Sequence, residues 1–187
     1  MTVTTAKWTI ADYHAIVAAG ILRDRPVELL NGEIVDMPPE GTPHAGLSNR
    51  GANHLRKLLG DRALIRESNP ITIPGGNSEP EPDIAIVEPL EDVYIEEHHP
   101  YPENIFWLIE YADSSLSKDT QIKRKTYATA DIQEYWVVNL QRMELIVYRD
   151  PLHGDYQSEL TLITGNVMPL AFPDIAVAVN LLVKSKR

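Results

Sequence analysis

Two carboxylates stand at the ends of two apolar segments that are predicted to be core strands. Asp83 precedes the apolar residues 84–87, and Glu110 follows the apolar residues 105–109. Burial does not explain a charge at such a place, because a desolvated carboxylate costs several kcal/mol unless a partner compensates it. If the two strands are antiparallel neighbours, the start of one lies beside the end of the other. The two acids would then converge, and Mg²⁺, with Mn²⁺ as the alternative, would offset their repulsion.

A predicted helix over residues 118–130 brings a lysine to the same region. At ~100° per residue, Asp119, Lys123 and Tyr127 lie on the side of the helix that faces the sheet. Lys118 falls on the solvated side, so Lys123 is predicted to be the only cation on the inner face. Asp119 precedes it by four residues and is well placed to orient it. An amine beside a metal site steers the attacking water or stabilises negative charge in a transition state.

Each of these residues also has a plain structural interpretation. Asp83 follows a proline and is a common kind of strand-start residue. Glu110 and Lys123 would equally well form a structural ion pair with each other. His44 precedes a predicted helix, where it would either make a helix-entry contact or contact water near the site. The residue types alone leave these alternatives open.

The rest of the sequence predicts the helices and strands that position these residues. Thr9 caps a predicted helix over residues 10–19, which Gly20 ends. Asn31-Gly32 predicts a tight hairpin, because both turn positions need positive φ. Further predicted elements are a helix over 45–59, strands over 63–68, 71–73, 83–87, 105–109, 135–138 and 145–148, and a long acidic loop over 88–104. This order predicts a mixed α/β sheet with helices packed on it.

Length and composition limit the classes of protein to consider. The 187 residues fit one domain, residues 1–187, and the absence of cysteine excludes disulfides and thiolate metal sites. No run approaches the ~20 apolar residues of a membrane span, and the N-terminus does not look like a signal peptide, so we expect a cytoplasmic protein. The net charge of -10 counts against a simple nucleic-acid-binding module. A nucleic acid would need a local basic patch and would bind in a salt-sensitive manner.

Several motifs, in order, resemble the Uma-type endonucleases, a family abundant in cyanobacteria within the PD-(D/E)XK nuclease superfamily. The resemblance covers most of the chain from Ala11 to about Arg149. Pro82-Asp83 followed by Glu110 at the end of an apolar strand is a weak signal by itself, whereas the whole ordered set is rather specific. The residues that carry it are 27–35, His44, 81–87, 108–114, Asp119 with Lys123 and Tyr127, and 134–138.

The resemblance implies a restriction-endonuclease-like α/β core, with a central mixed sheet flanked by helices and an N-terminal helix and β-hairpin extension. It implies Mg²⁺-dependent hydrolysis of nucleic-acid phosphodiester bonds, with DNA as the expected substrate. Asp83 and Glu110 would bind the metal, Lys123 would act beside it, and Glu28 would border the site. A nuclease that cuts both strands is often a dimer, so a homodimer is expected.

One position departs from the superfamily pattern. The superfamily has a lysine two residues after the acidic strand residue, and Ala112 occupies that position here. By resemblance, Lys123 on the following helix takes that role. The alternative is a weakly active or inactive nuclease-fold domain that binds or regulates, and the acidic net charge favours it. A weaker third hypothesis is a structural protein that associates through its sheet edge or acidic loop.

Overall fold

The computed structural model describes residues 4–183 and shows a mixed α/β architecture. Its helices are α1 (Ile10–Ala18), α2 (Thr42–Leu59), α3 (Glu91–Glu96), α4 (Arg124–Thr129) and α5 (Val179–Leu182). Its strands are β1 (Val27–Leu30), β2 (Glu33–Asp36), β3 (Leu64–Glu67), β4 (Ile84–Val87), β5 (Ile105–Ala112), β6 (Glu134–Asn139), β7 (Glu144–Leu152), β8 (Asp155–Leu162), β9 (Asn166–Val167) and β10 (Val177–Ala178). A π-helical segment, Lys118–Lys123, runs directly into α4. The predicted domain also includes residues 1–3 and 184–187, which lie outside the described residues.

Six strands form the central sheet in the order β3-β4-β5-β6-β7-β8. β5 and β6 are parallel, and the other neighbouring pairs are antiparallel. On one face, Trp107 and Trp136 pack in a core with Leu55 of α2 and Leu182 of α5. On the other face, Tyr127 of α4 packs in a second core with residues of the sheet. The predicted mixed sheet flanked by helices is therefore confirmed.

The N-terminal helix and hairpin form as their local sequence signals predict. Thr9 and Asp12 make a capping box at the start of α1. Asn31 and Gly32 take φ values of 50° and 74°, which a two-residue turn requires. The hairpin is attached to the rest of the molecule through Glu79, whose backbone N–H donates to the Leu29 carbonyl at 2.8 Å. This attachment brings β1 against the segment that leads into β4.

Several elements differ from the prediction in their bounds or in their type. α2 begins at Thr42, because a proline in the first turn suits a helix start. Residues 71–73 form no strand, since the Ile71 and Thr72 backbone N–H groups donate to two separate segments rather than to one ladder. The acidic stretch 88–104 contains the short helix α3. β5 continues through Ala112 along β6, so Glu110 lies within the strand rather than at its end. β8, β9, β10 and α5 account for the C-terminal part, which the sequence pattern did not resolve.

The sequence predicts no membrane-spanning helix. Within residues 4–183, no helix combines the length and the apolar character that a membrane crossing requires.

Candidate active site

Four of the five site residues predicted from the sequence line one pocket, between the start of α2, the start of β4, the end of β5 and the π-helical segment, and Glu28 is not part of its lining. Asp83, Glu110, Lys123 and His44 all line it. The charged and titratable side chains in its wall are Glu40, Glu81, Asp83, Glu110 and Asp119 on the acidic side, and Lys118, Lys123 and His44 on the basic side. Five carboxylates thus face two lysines, and the excess negative charge favours a bound cation.

Asp83 is held against β5 through one of its two oxygens. Ile84 pairs with Ile109 in the antiparallel β4–β5 ladder, so Asp83 lies next to Glu110, as predicted. The Tyr111 backbone N–H donates to Asp83 Oδ2 at 2.5 Å, and His44 Nε2 lies 2.8 Å from the same oxygen. Asp83 Oδ1 accepts no hydrogen bond from residues 4–183, and it is therefore available to a ligand.

Glu110 shows the same asymmetry in a more buried place. Its side chain is 5% exposed, and its Oε1 accepts from Lys123 Nζ at 2.8 Å and from the Tyr127 hydroxyl at 3.0 Å. Oε2 accepts nothing from the described part of the chain. Burial raises the pKa of Glu110 well above its ordinary value; the Lys123 ammonium opposes this rise, and the charge of Asp83 adds to it. A cation beside Oε2 would keep this carboxyl ionised.

Lys123 faces the sheet as predicted, and one of its partners is Glu110, the ion pair that the plain structural interpretation gave. The side chain is 3% exposed and pairs with Glu110 at 2.8 Å and with Glu28 at 3.1 Å. Asp119, which was expected to orient it, makes no ion pair with it within 4 Å and instead accepts from the Ser115 hydroxyl at 2.6 Å. Burial lowers the pKa of Lys123, but the nearby acidic groups, with Glu110 first among them, together outweigh it, and the net pKa is raised well above normal. Lys123 is therefore a protonated amine in this site.

Glu28 is a fully buried carboxylate whose two oxygens are both occupied. Oε1 accepts from Lys118 Nζ at 2.7 Å, whereas Oε2 lies 3.1 Å from Lys123 Nζ and 3.2 Å from the Glu81 backbone nitrogen. Burial raises the pKa of Glu28, but the two lysines outweigh this effect and the net pKa is lowered. Glu28 therefore borders the site as an anchor for two amines.

Lys118 contradicts the prediction that it faces solvent. The prediction assumed α-helical geometry, whereas residues Lys118–Lys123 form a π-helical segment with i→i+5 hydrogen bonds. In that geometry, residues five apart are neighbours, so Lys118 and Lys123 reach the same carboxylate.

His44 lies between Asp83 and a residue that sequence analysis missed. Its Nδ1 is 3.4 Å from Glu40 Oε2 and its Nε2 is 2.8 Å from Asp83 Oδ2. These three residues are a group of potential metal ligands whose ligand atoms lie within 4.8 Å of one another. Burial lowers the pKa of His44, but the hydrogen bond and the charge of Asp83, with Glu40, raise it more. The four-residue spacing from Glu40 to His44 was the signal available, once the start of α2 was known.

The site geometry can be set beside known proteins. The model of the Uma2 family, described as "Putative restriction endonuclease", matches residues 10–180. Among solved structures, the fold is similar to "a putative nuclease belonging to DUF820" from Anabaena variabilis ATCC 29413. That similarity has a TM-score of 0.68 at 16% identity and covers 83% of this chain and 88% of the other. Comparison with curated proteins gives no match. At such identity the structural similarity shows the fold alone, and it agrees with the predicted nuclease-like α/β core.

Proposed function

This chain belongs to the Uma2 family of restriction-endonuclease-like proteins, and from that premise we propose that it is a metal-dependent endonuclease that hydrolyses phosphodiester bonds in nucleic acid, with DNA as the expected substrate. One observation carries the proposal. Asp83 and Glu110 share an acidic pocket, and each uses one oxygen for protein contacts while the other has no partner among residues 4–183. These two oxygens can therefore be reached by a ligand in the pocket, which supports a metal role over a purely structural one.

The pocket fits a hard divalent cation. Asp83 Oδ1 and Glu110 Oε2 would hold Mg²⁺ or Mn²⁺, which take oxygen ligands. His44 and Glu40 lie close enough to Asp83 to contribute a ligand atom or to hold a coordinated water. When bound, such a cation polarises the phosphate and acidifies a water molecule.

Lys123 works as a donor rather than as a base. Its raised pKa keeps the amine protonated, so it cannot take a proton from water at neutral pH. Anchored by Glu110 and Glu28, it presents a fixed positive charge that orients the attacking water or offsets charge on the phosphate. Tyr127 donates to the same Glu110 oxygen and helps to fix that carboxylate.

The alternative is a nuclease-fold domain that binds or regulates without cleavage, which Ala112 in the usual lysine position favours. Ala112 is buried and packed in the core on the helix side of β5. The Lys123 ammonium nevertheless reaches Glu110 from the helix. The amine that the superfamily pattern requires is therefore supplied from another element, and this supports the enzyme proposal over the alternative.

Nicking of supercoiled plasmid in Mg²⁺ or Mn²⁺ tests the proposal. Asp83→Asn and Lys123→Ala should each lower the cleavage rate by about a thousandfold, since a bound metal and its supporting charge supply several kcal/mol. Asp92→Asn on α3, an exposed acid outside the pocket, is the matched control and should cleave like wild type. Equal cleavage by all four proteins would point to a contaminating nuclease and remove the support.

Titration calorimetry with the metal alone separates the enzyme from the non-catalytic domain. Wild type should bind Mg²⁺ or Mn²⁺, and Asp83→Asn should not. No divalent binding, or binding that Asp83→Asn leaves unchanged, would favour the regulatory alternative. Substituting a single-stranded RNA for the plasmid tells whether DNA is the preferred substrate.

A further inference from the structure

We propose that Lys118 is a second phosphate-binding amine of this pocket, which Glu28 holds in place until the backbone of a nucleic acid takes over its charge. The inference rests on the proposed function, because it takes a nucleic acid as the ligand. It adds a residue that sequence analysis assigned to the solvated side of its helix.

The π-helical segment creates the arrangement. Lys118 is its first residue and Lys123 its last, and the i→i+5 spacing makes them neighbours on one face. They reach different oxygens of Glu28, at 2.7 Å and 3.1 Å. Helical segments of this kind are rare and occur frequently at functional sites. The local geometry thus brings a second amine to a pocket that α-helical geometry would have left with one.

The two amines differ in how firmly they are held. Lys123 is 3% exposed and is paired with two carboxylates, whereas Lys118 is 17% exposed and, in the part of the chain that the structure describes, is paired with Glu28 alone. If Lys118 turns away, Glu28 still keeps Lys123 and the Glu81 backbone N–H as partners. Release of Lys118 therefore leaves Glu28 paired with Lys123, whereas release of Lys123 would leave Glu110 without its ammonium partner.

The excess of negative charge in the pocket indicates what Lys118 would do there. A phosphodiester approaching this chain meets a net charge of -10 and five carboxylates in the pocket wall. A metal held by Asp83 and Glu110 would, together with Lys123, offset that charge at the reacting phosphate. Lys118 lines the same pocket and has ammonium donors beyond the one that Glu28 accepts. It therefore fits a non-bridging oxygen of the reacting phosphate or of a neighbouring one.

A fluorescein-labelled DNA duplex tests the inference by anisotropy, titrated in Ca²⁺ over a range of salt concentrations. Lys118→Gln should bind about tenfold more weakly, as expected for one lost charged hydrogen bond. The slope of log affinity against log salt should fall by about 0.9, the value for one phosphate contact. Lys118→Arg should keep most of the slope. Lys125→Gln, an exposed lysine on the same helix, should match wild type in both affinity and slope.

Two further measurements separate the possible failures. If Lys118→Gln does not fold, Glu28→Gln/Lys118→Gln removes both partners of the ion pair and should show the same loss of slope. Cleavage in Mg²⁺ is measured on the same proteins. Wild type that cleaves while Lys118→Gln binds with the slope of Lys125→Gln overturns this inference and leaves the proposed function standing. If binding depends on Lys118 but wild type does not cleave, this inference stands and the proposed endonuclease activity is overturned. Wild type that neither binds nor cleaves overturns both.

Discussion

Glu110 on β5 and Glu134 on β6 are two buried glutamates on neighbouring parallel strands, and they differ in what their oxygens do. Both side chains are almost fully buried, and both are paired with a cation. Glu134 accepts four hydrogen bonds, two of them from Arg149 at 2.6 Å and 2.9 Å, one from the Trp136 indole and one from the Leu170 backbone N–H. Both of its oxygens are occupied. Glu110 accepts two hydrogen bonds, both on one oxygen.

The two glutamates also face opposite sides of the sheet. Glu134 lies on the face of Trp136, where it joins the end of β7 and the segment before Leu170 to β6. Glu110 lies on the face of Tyr127, where the pocket opens. Burial and ion pairing are alike in both places, so neither property identifies a functional acid. What differs is Glu110 Oε2, which has no protein partner within residues 4–183 and is not shut off from the pocket, so a ligand can reach it.

Glu134 and its hydrogen-bond donors form a closed cluster, whereas the pocket of Asp83 and Glu110 is an open site. The largest expected effect on stability comes from a substitution in the closed cluster. Glu134→Gln removes the charge that Arg149 faces and should lower the free energy of unfolding by about 3 kcal/mol, as for a buried pair that loses one partner. Glu110→Gln should change it by less than about 1 kcal/mol, because Lys123 keeps Glu28 as a partner and the repulsion with Asp83 disappears. Urea unfolding followed by circular dichroism measures both changes.

Activity should reverse that order. Glu110→Gln is expected to abolish metal-dependent cleavage while the fold remains intact, and Glu134→Gln should retain cleavage at a temperature where it is still folded. Equal loss of stability in the two variants would show that the free oxygen of Glu110 does not distinguish it from a structural acid.

The sequence predicted most of what local signals encode. The hairpin followed from Asn31-Gly32, and the first helix from Thr9 and Gly20, because turn and cap chemistry is local. The proximity of Asp83 and Glu110 followed from one assumption, that β4 and β5 are antiparallel neighbours, which the sheet confirms. Glu134 entered only as part of a resemblance, since nothing in its immediate sequence shows that Arg149 will lie opposite it.

The remaining features depend on tertiary contacts. No residue pattern distinguishes an i→i+5 turn from an i→i+4 turn, so Lys118 was assigned to the wrong side of its helix. Its position is stabilised by Glu28, which is 90 residues away along the chain. Glu40 joins the site only because α2 begins at Thr42, three residues before the predicted start. Element boundaries and distant charge pairs therefore account for the parts of the site that the sequence did not predict.

A smaller effect on stability is expected at Gly51, which lies against Tyr111 beside the open site. A Cβ at Gly51 of α2 would lie 2.2 Å from the Tyr111 hydroxyl oxygen and 3.2 Å from Leu182 Cδ2. Tyr111 is 2% exposed, so its ring has little room to move. Gly51→Ala should therefore destabilise the protein by about 1–3 kcal/mol, as overpacking does. Because the Tyr111 backbone N–H holds Asp83, cleavage should also fall at temperatures where the variant is folded.

Gly46→Ala on the same helix is the matched control. A Cβ there meets nothing within 4 Å, so replacing glycine in a helix should stabilise the protein by about 0.5–1 kcal/mol. Thermal unfolding of the two variants should thus shift in opposite directions. If Gly51→Ala were as stable as Gly46→Ala, Tyr111 would not be the tightly packed support that its contact with Gly51 indicates.

The smallest expected effect compares two histidines of α2, one in the open site and one outside it. Burial lowers the pKa of His44, but Asp83 and Glu40 raise it by more than burial lowers it, so the net pKa lies above the ordinary 6.5. Burial and the charge of Lys57 lower the pKa of His54 below 6.5. Stabilisation by protonated His44 is therefore full below pH 6.5 and is lost as the pH rises through its raised pKa. His54 acts in the opposite sense and costs stability as the pH falls below 6.5.

Proton NMR titration of the imidazole signals in the metal-free protein measures both pKa values. Asp83→Asn removes the neighbouring charge and should bring the pKa of His44 down while His54 stays unchanged. Adding Mg²⁺ should shift His44 in the same direction, because a cation at the Asp83 carboxylate disfavours a second positive charge beside it. If the pKa of His44 in the metal-free protein were at or below 6.5, Asp83 would not carry the charge assigned to it. The difference between the open site and the closed cluster would then have no electrostatic basis.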